Sequence, residues 1–567
     1  MKKHILVYTY LIILILGMIF IMERFVLNNY IKENKKYTVS SNQWDSTKAY
    51  VVNKATIIAN IDTRQLKSNT NNIFMSDKMK LMIPVEQIME SFDCAVSEYS
   101  ANRILIEKGN NSISINNNEC LINGEKTDVI DLIEFKNDRT FIAVELLSKV
   151  FDYTYNFDIS TNQAKILSNN IDNRIFPYKY SYEDIQRVPM VGNQGNLGTC
   201  WAFAALTALS STVMPKENLV FSVDHMTLNN SFAVGQSVGG DYSMAMAYLL
   251  AWQGPVLEKD DPYGDGISNN NIKPVKHVQE AQIIEAKDYE TIKKMIFKYG
   301  GVQSSFYAYS LDKNMGGTRY YNSETNSYCY IGNNKPNHDI VIIGWDDSYP
   351  KENFNTNVEN DGAFICRNSW GADFGNNGNF YISYYDTNIG VHNVVYTKVE
   401  EPDNYDNIYQ TDLCGYIGQL GYNKESSYFA NVYTAKEDEE LMAVGFYATG
   451  IDTEYSIYVC EDFKDVSSLA KRSNPVMTGK VKNSGYYTIR LDNKIKILKD
   501  RKYAIIVRIN TPNSLRPVAV EYSHNSQTAN VDITDGEGYV SLKGASWEST
   551  EEVYQCNVCL KAYTNNS

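Results

Sequence analysis

The stretch Gln194-Gly-Asn-Leu-Gly-Thr-Cys-Trp-Ala-Phe-Ala-Ala205 carries the strongest local signal in the chain. Gly195 and Gly198 predict a tight, irregular loop, and the mostly small and apolar run from Trp201 to Val213 predicts a helix. Cys200 then stands at a helix N-terminus, where the macrodipole and free N–H groups are expected to lower the pKa of its thiol. A lone cysteine is more often an ordinary buried residue, so this loop alone leaves the role of Cys200 open.

A histidine and an asparagine further along the chain stand at the ends of predicted strands. His338 opens the apolar run Asp339–Trp345, within the roughly 130–150 residues that separate a cysteine nucleophile from its base in one protease class. Asn368 follows a second strand, and its side chain can accept a hydrogen bond from one imidazole nitrogen, which turns the other towards a thiol. Trp370 is expected to shield that hydrogen bond from water. Taken singly, a structural histidine and a turn asparagine are the simpler interpretations.

Together these segments resemble the papain family of cysteine proteases. The shared motifs are Gln-Gly-x-x-Gly-x-Cys-Trp-Ala-Phe, the strand that begins with the histidine and Asn-Ser-Trp-Gly, in the family's order. The resemblance implies that Cys200 is the nucleophile, His338 the base and Asn368 the residue that orients it. It also implies that Gln194 binds the oxyanion together with the Cys200 N–H, and that the Gly239-Gly240 backbone pairs with an extended substrate, with Trp370 lining the same cleft.

The sequence departs from the family's pattern at three places. Leu197 and Ser237 replace two positions that form a disulfide in most members, which indicates the loss of one bond. Asp339 stands where a small apolar residue is usual; its side chain should point away from His338, but a nearby carboxylate is expected to raise the imidazole pKa. The acidic, asparagine-rich insertion 346–361 is predicted to be a surface loop.

The predicted fold class is α+β with several domains, because 567 residues are too many for one hydrophobic core. Residues 180–400 are expected to form a papain-like protease of two lobes, one helical and one resembling a β-barrel. Residues 76–170 contain an internal duplication in which Met82–Asp93 matches Phe141–Asp152, each copy predicted as an amphipathic helix followed by strands. This small α+β domain resembles the N-terminal domain of copper amine oxidases, which implies a stalk that spaces or binds to the cell wall.

Residues 401–567 are predicted to form an all-β sandwich. Short alternating strands such as Leu441–Tyr447 and Tyr503–Arg508 are separated by turn residues at close intervals. The pattern resembles the lectin-like domain attached to papain-like proteases of clostridial surface proteins. No cofactor is expected to be required; a structural calcium ion is left open, and neither a sugar-binding nor a calcium-binding residue set is assigned.

The N-terminus predicts where the protein is located. Lys2 and Lys3 precede an uncharged run, Ile5–Met22, that is near the lower limit for crossing a hydrocarbon core of about 30 Å as a helix. Residues 1–24 are therefore predicted to be an uncleaved membrane anchor with its basic end inside, and a cleaved signal peptide is the alternative. Residues 25–75 are predicted to be a spacer. The protein would then be a single-pass membrane protein with an extracellular catalytic domain, in a Gram-positive bacterium.

The cysteine count and the net charge limit the disulfides, metal sites and partners that can be expected. Nine cysteines are an odd number, so at least one is expected outside any disulfide, and Cys200 is the candidate. Cys556 and Cys559 lack a second ligand pair and are predicted to be structural or simply reduced, so no metal site is predicted. A net charge of −14 argues against nucleic acid as a partner.

The function predicted from these observations is a cell-surface cysteine endopeptidase. It would act on protein or peptide substrates through a thioester acyl-enzyme. The membrane would be contacted through the N-terminal helix, and the flanking domains would contact cell-wall material or carbohydrate. The alternative is a surface adhesin or wall-binding protein with an inactive protease fold, and a third possibility is a transferase that uses the same acyl-enzyme.

Overall fold

A computed structural model describes the chain from residue 58 to residue 567 with short gaps. The gaps are at 62–63, 66–72, 77, 79, 93, 101–102, 109–110, 117–118, 128, 130, 137–138, 152, 159–162, 169–175, 186, 310–316, 472–473 and 535–536. The predicted anchor and most of the predicted spacer lie outside the described residues. None of the helices in the described ranges is long and apolar enough to cross a membrane.

The first described domain combines three small sheets with two short helices. Its sheets have the strand orders β12-β13-β1-β2, β10-β11-β4-β3 and β5-β6-β7-β8-β9. Its elements are β1 (Ile58–Ile61), β2 (Arg64–Gln65), β3 (Phe74–Met75), β4 (Leu81–Pro84), α1 (Val85–Phe92), β5 (Ala95–Ser100), β6 (Arg103–Lys108), β7 (Asn111–Asn116), β8 (Glu119–Ile122), β9 (Glu125–Lys126), β10 (Ile133–Lys136), β11 (Arg139–Ala143), α2 (Val144–Phe151), β12 (Tyr153–Asp158) and β13 (Gln163–Ser168).

The internal duplication differs in one respect from the prediction of a helix over each whole repeat. Each repeat begins as a strand, and β4 of the first copy pairs antiparallel with β11 of the second, with Ile83 opposite Ile142. Helix α1 begins only after Pro84, because proline cannot donate a hydrogen bond and disfavours helical geometry at the residue before it. Both helices then bury their apolar faces in the core that the two copies share.

The central domain places one long helix against a mostly antiparallel sheet. Its elements are β14 (Lys179–Ser181), α3 (Cys200–Val213), α4 (Val223–Leu228), α5 (Tyr242–Leu250), β15 (His277–Ile283), α6 (Tyr289–Lys298), β16 (Val302–Phe306), β17 (Tyr321–Asn322), β18 (Ser327–Tyr328), β19 (His338–Asp346), β20 (Ala363–Arg367), β21 (Asn379–Ser383) and β22 (Asn393–Glu400). Helix α3 packs on β16, β19, β22, α4 and α5. It is buried on nearly every side, which explains its mostly small and apolar sequence.

The insertion 346–361 packs more tightly than the predicted surface loop. It contains a short 3₁₀ turn at Lys351–Asn353. Tyr349, Phe354 and Val358 are buried in a small apolar cluster with Cys329. The insertion is therefore a loop packed on the sheet, because its few apolar side chains find partners beside the neighbouring strands.

The C-terminal domain is the predicted β-sandwich, with one additional short helix. Its elements are β23 (Asn407–Tyr409), β24 (Gly418–Leu420), β25 (Ser426–Thr434), β26 (Glu439–Ala448), β27 (Thr453–Cys460), β28 (Met477–Val481), β29 (Ser484–Ile497), β30 (Lys502–Asn510), β31 (Val518–Glu521), β32 (Gly538–Ser541), β33 (Glu548–Ser549), α7 (Thr550–Tyr554), β34 (Asn557–Val558) and β35 (Leu560–Asn566). One of its sheets has the order β28-β27-β30-β25-β32-β33, and a small sheet has the order β24-β31-β34.

The remaining strands of the sandwich continue the sheet of the central domain. Strand β15 pairs with β22 on one side and with β29 on the other, both antiparallel. The combined sheet has the order β17-β18-β21-β20-β19-β16-β22-β15-β29-β26-β35-β23, with β14 added beside β19. The central and C-terminal domains therefore share backbone hydrogen bonds as well as side-chain contacts.

Candidate active site

Cys200 is the first residue of helix α3, as predicted. Its sulfur accepts hydrogen bonds from the backbone N–H groups of Cys200, Trp201 and Asp339, and these lower the pKa of the thiol. Burial acts in the opposite direction and dominates, so the thiol pKa is raised to about 11. The expected lowering of the Cys200 pKa is thus wrong, because burial outweighs the helix terminus.

His338 begins strand β19, and its imidazole is held between two aromatic rings. Nε2 lies 2.8 Å from Asn368 Oδ1, so this hydrogen bond leaves Nδ1 as the ring nitrogen that is available to a thiol. The Trp370 ring lies 4.6 Å from the imidazole, and the Phe306 ring lies 5.6 Å from it, measured between centroids. The structure therefore brings together His338, Asn368 and Trp370, and it adds Phe306, for which the sequence held no signal.

Burial lowers the pKa of His338 to about 4, and the hydrogen bond with Asn368 raises it only in part. The Asp339 carboxylate does not reverse this effect. It accepts hydrogen bonds from Ser305 and Gln303, the two side chains that surround it on β16. The lowered pKa of His338 comes from burial and is not an effect of Asp339, so the expected influence of Asp339 on the imidazole stays a prediction, whereas the predicted turning of its side chain away from His338 agrees with these contacts.

Gln194 ties the loop before Cys200 to the segment that follows strand β20. Its Oε1 accepts a hydrogen bond of 2.7 Å from Ser369 Oγ, and its Nε2 donates one of 2.9 Å to the Leu197 carbonyl. The Tyr263 hydroxyl donates to the Gln194 carbonyl at 2.8 Å and lies 2.7 Å from Thr199 Oγ1. Nε2 carries two hydrogens, so one remains for a ligand. Ser369, Tyr263 and Thr199 are supporting residues that the sequence analysis did not assign.

The glycine pair packs directly against the nucleophile loop. A Cβ on Gly240 would lie 2.7 Å from Trp201 Nε1 and from Met244 Sδ, and a Cβ on Gly198 would lie 2.7 Å from the Gly239 nitrogen. Gly239 has φ +89°, a conformation that L side chains rarely adopt. The structure thus places Gly239 and Gly240 beside the segment that contains Cys200, and glycine is required by the positive φ at Gly239 and by close packing at Gly240.

Neither a disulfide nor a metal cluster accompanies this site. None of the nine cysteines, all of which lie in the described ranges, forms a disulfide. No other cross-link therefore replaces the disulfide that is absent at Leu197 and Ser237. Cys556 and Cys559 are buried thiols. No group of three or more His, Cys, Asp or Glu side chains suited to a metal ion occurs in the part of the chain that the structure describes.

Three family models match successive parts of the chain. Residues 60–166 match the copper amine oxidase N-terminal domain, residues 176–399 the papain family cysteine protease and residues 408–564 the lectin-like domain. Viral cathepsin of Autographa californica nuclear polyhedrosis virus is 25% identical over 213 residues, which cover 36% of this chain and 59% of the cathepsin. Cathepsin L 2 of Paramecium tetraurelia is 28% identical over 253 residues, which cover 43% of this chain and 71% of the cathepsin.

Two solved structures share the arrangement of protease and sandwich. The clostridial cysteine protease Cwp84 after propeptide cleavage is 27% identical with a TM-score of 0.62, and the match covers 69% of this chain and 99% of that chain. The cysteine protease and lectin-like domains of Cwp84, a surface layer associated protein of Clostridium difficile, are 26% identical with a TM-score of 0.59, covering 69% and 89%. The predicted α+β multidomain fold is confirmed. Residues 176–399 are thus a papain family cysteine protease domain, between a copper amine oxidase N-terminal domain and a lectin-like domain.

Proposed function

We propose that this protein is a cysteine endopeptidase that hydrolyses peptide bonds through Cys200, His338 and Asn368. The observation that carries the proposal is the 2.8 Å hydrogen bond between His338 Nε2 and Asn368 Oδ1. Next to it, the Cys200 sulfur accepts a hydrogen bond from the N–H of Asp339, the residue after His338. A nucleophile, a base and a residue that orients the base are thus neighbours at the start of β19.

The proposed reaction begins when His338 takes the thiol proton and the thiolate attacks the peptide carbonyl carbon. The Gln194 amide and the Cys200 N–H then donate hydrogen bonds to the oxyanion. His338 returns the proton to the leaving amine, and the C–N bond breaks to give a thioester. Water, deprotonated by His338, attacks the thioester, and the proton held by His338 passes to the departing Cys200 sulfur.

Burial opposes each charge of the thiolate–imidazolium pair when that charge forms alone. It raises the pKa of Cys200 and lowers the pKa of His338. Proton transfer from the thiol to the imidazole creates both charges together, and their mutual attraction in a water-poor site offsets part of the burial cost. The three backbone N–H groups at the sulfur add to this compensation, so the ion pair is accessible to catalysis.

The decisive test is the substitution Cys200→Ala. It should abolish cleavage of a labelled peptide library and covalent labelling by an epoxide probe, while the thermal unfolding midpoint stays near that of the parent protein. Cleavage retained by the variant would refute the proposed nucleophile. A parent protein that folds but neither cleaves nor reacts would favour the inactive surface adhesin instead, and products joined to an added amine would indicate a transferase.

We further propose that the C-terminal domain contacts carbohydrate on the outer face of β27, β28 and β30. An open depression of about 300 Å³ lies there, lined by Glu454, Ser456, Lys480, Arg508 and Asn510 among others. Carboxylate, guanidinium and amide groups side by side suit the paired hydroxyls of a sugar. Arg508→Ala should reduce retention on cell-wall polysaccharide at least several-fold without changing peptide cleavage, and unchanged retention would exclude this face.

We propose a cell-surface location as well. The support is the pairing of a papain-like protease with a lectin-like domain, which occurs in the surface layer associated Cwp84. The predicted membrane contact through residues 1–24 stays a prediction. Biotinylation of intact cells with a reagent that cannot cross membranes should label the full chain, and labelling only after lysis would contradict this location.

A further inference from the structure

We propose that Asp339 is a positioning residue that sets the pH range over which Cys200 becomes a thiolate. The inference rests on the proposed protease function and adds a control of its nucleophile. Asp339 immediately follows the base His338, and its backbone N–H donates to the Cys200 sulfur, so any charge on its side chain lies near the reacting atoms.

The Asp339 carboxylate belongs to a buried hydrogen-bond network that reaches the nucleophile helix. Oδ1 accepts a hydrogen bond of 2.6 Å from Ser305 Oγ, and Oδ2 accepts one of 3.0 Å from Gln303 Nε2. Gln303 Nε2 also donates to the Trp201 carbonyl at 3.2 Å, in the first turn of α3. Only 9% of Asp339 and 1% of Gln303 are exposed. The carboxylate is thus fixed in place, and the network links it to the residue next to Cys200.

The groups that face this carboxylate include no cation. Its charge acts on the Cys200 thiol of α3, on Tyr242 of α5 and on Tyr396 of β22, and the charge of Asp241 acts on it in turn. The neighbouring His338 imidazole on β19 is uncharged above about pH 4. Its partners on β16 are uncharged, and no ion pair with Asp339 forms within the described ranges. A buried negative charge without a cationic partner acts strongly on its neighbours, because little water screens it.

The direction of the pKa shift at Cys200 follows from the negative charge that the Asp339 carboxylate and the Cys200 thiolate both carry. An ionised Asp339 opposes thiolate formation and so raises the pKa of Cys200. Burial and the charge of Asp241 raise the pKa of Asp339 itself to about 6, against the hydrogen bonds from Ser305 and Gln303. Below that pH the carboxylate takes up a proton and its opposition to the thiolate disappears. Asp339 therefore makes the nucleophile easier to ionise in mildly acidic surroundings than a permanent charge would.

The variant Asp339→Asn tests this inference because it removes the charge and nearly preserves the shape of the side chain. The measurement is the second-order rate of iodoacetamide reaction at Cys200 between pH 4 and 9, read by peptide mass mapping of the full chain. We expect Cys200 in the variant to react about tenfold faster than in the parent protein above about pH 6, where the parent carboxylate is charged, and the two rates to converge below that pH. Glu359→Gln, which removes an exposed carboxylate on the insertion, is the matched control and should leave the profile unchanged.

Asp339→Ala guards against a variant that fails to fold, since it also removes the charge and should raise the reaction rate above about pH 6 in the same way. Profiles that coincide with the parent profile, or that move to higher pH, would overturn the inference while leaving the proposed protease intact. If Cys200 in the parent protein does not react ahead of the other cysteines, the proposed function itself fails, and the inference fails with it. A merely structural role of Asp339 would lower thermal stability without changing how the reaction rate depends on pH.

Discussion

Substitution of Asn368 is the most direct single-residue test of how His338 is oriented in the proposed chemistry. The Asn368 side chain is buried, its Oδ1 accepts from both His338 Nε2 and the Ser369 N–H, and its Nδ2 has no hydrogen-bond partner within the described chain. Asn368→Ala would leave the His338 ring without its acceptor and free it to rotate. We expect kcat/KM to fall about tenfold, which corresponds to about 1.4 kcal/mol, a typical value for one lost hydrogen bond.

The measurement is the cleavage rate of a fluorogenic peptide at several pH values. Asn368→Asp keeps an acceptor at the same position and should retain more activity than the alanine variant, with the imidazole pKa raised by the added charge. Equal activity in the parent and alanine proteins, at equal thermal stability, would show that the hydrogen bond does not orient the base.

At this scale the sequence motifs predicted where the reactive residues stand but not how they ionise. Cys200 and His338 each begin an element, and element boundaries can be recognised from local periodicity and glycine placement. The pKa of each group depends on burial by side chains that are distant in sequence. Phe306 beside His338 is one example, and no spacing rule indicates it.

Among the helices and strands, those set by their own residues were predictable, whereas those set by pairing with distant residues were not. Helix α3 was predictable because a run of small apolar residues without proline favours a buried helix wherever it packs. The repeats of the N-terminal domain were predicted as single helices because their apolar pattern fits a helical period. Their first residues form strands β4 and β11 instead, since each copy supplies the other's edge partner. A pairing between two repeats cannot be inferred from the pattern within one.

At the scale of the whole molecule, the sheet that runs from the protease into the sandwich was the least predictable feature. Strand β15 joins the two domains by pairing with β29, which lies about 200 residues later in the chain. Side chains reinforce the junction, because Thr488 Oγ1 donates to Gln279 Oε1 at 2.7 Å and Asn483 Nδ2 donates to Gln282 Oε1 at 2.8 Å. Such partners depend on three-dimensional closeness, so turn signals and alternation in β29 predicted only that it is a strand.

A buried ion pair beside this junction provides the last prediction. Lys561 Nζ lies 2.7 Å from Asp412 Oδ1 and donates to Gln410 Oε1 at 2.8 Å, with both charged side chains almost fully buried. Gln410 Nε2 in turn donates to the Ala251 carbonyl of the protease domain at 3.0 Å. Lys561→Met would leave the Asp412 carboxylate buried without its cation, so we expect the free energy of unfolding to fall by about 3–5 kcal/mol.

Thermal and denaturant unfolding of the full chain measure this loss. The double variant Lys561→Met with Asp412→Leu removes both charges and should recover most of the stability, because the destabilising species is the unpaired charge rather than the missing pair. If the ion pair also holds the sandwich on the protease, the single variant should unfold in two steps, with the sandwich melting first. A single variant as stable as the parent would mean that water reaches Asp412 and that the segment around Gln410 docks without Lys561.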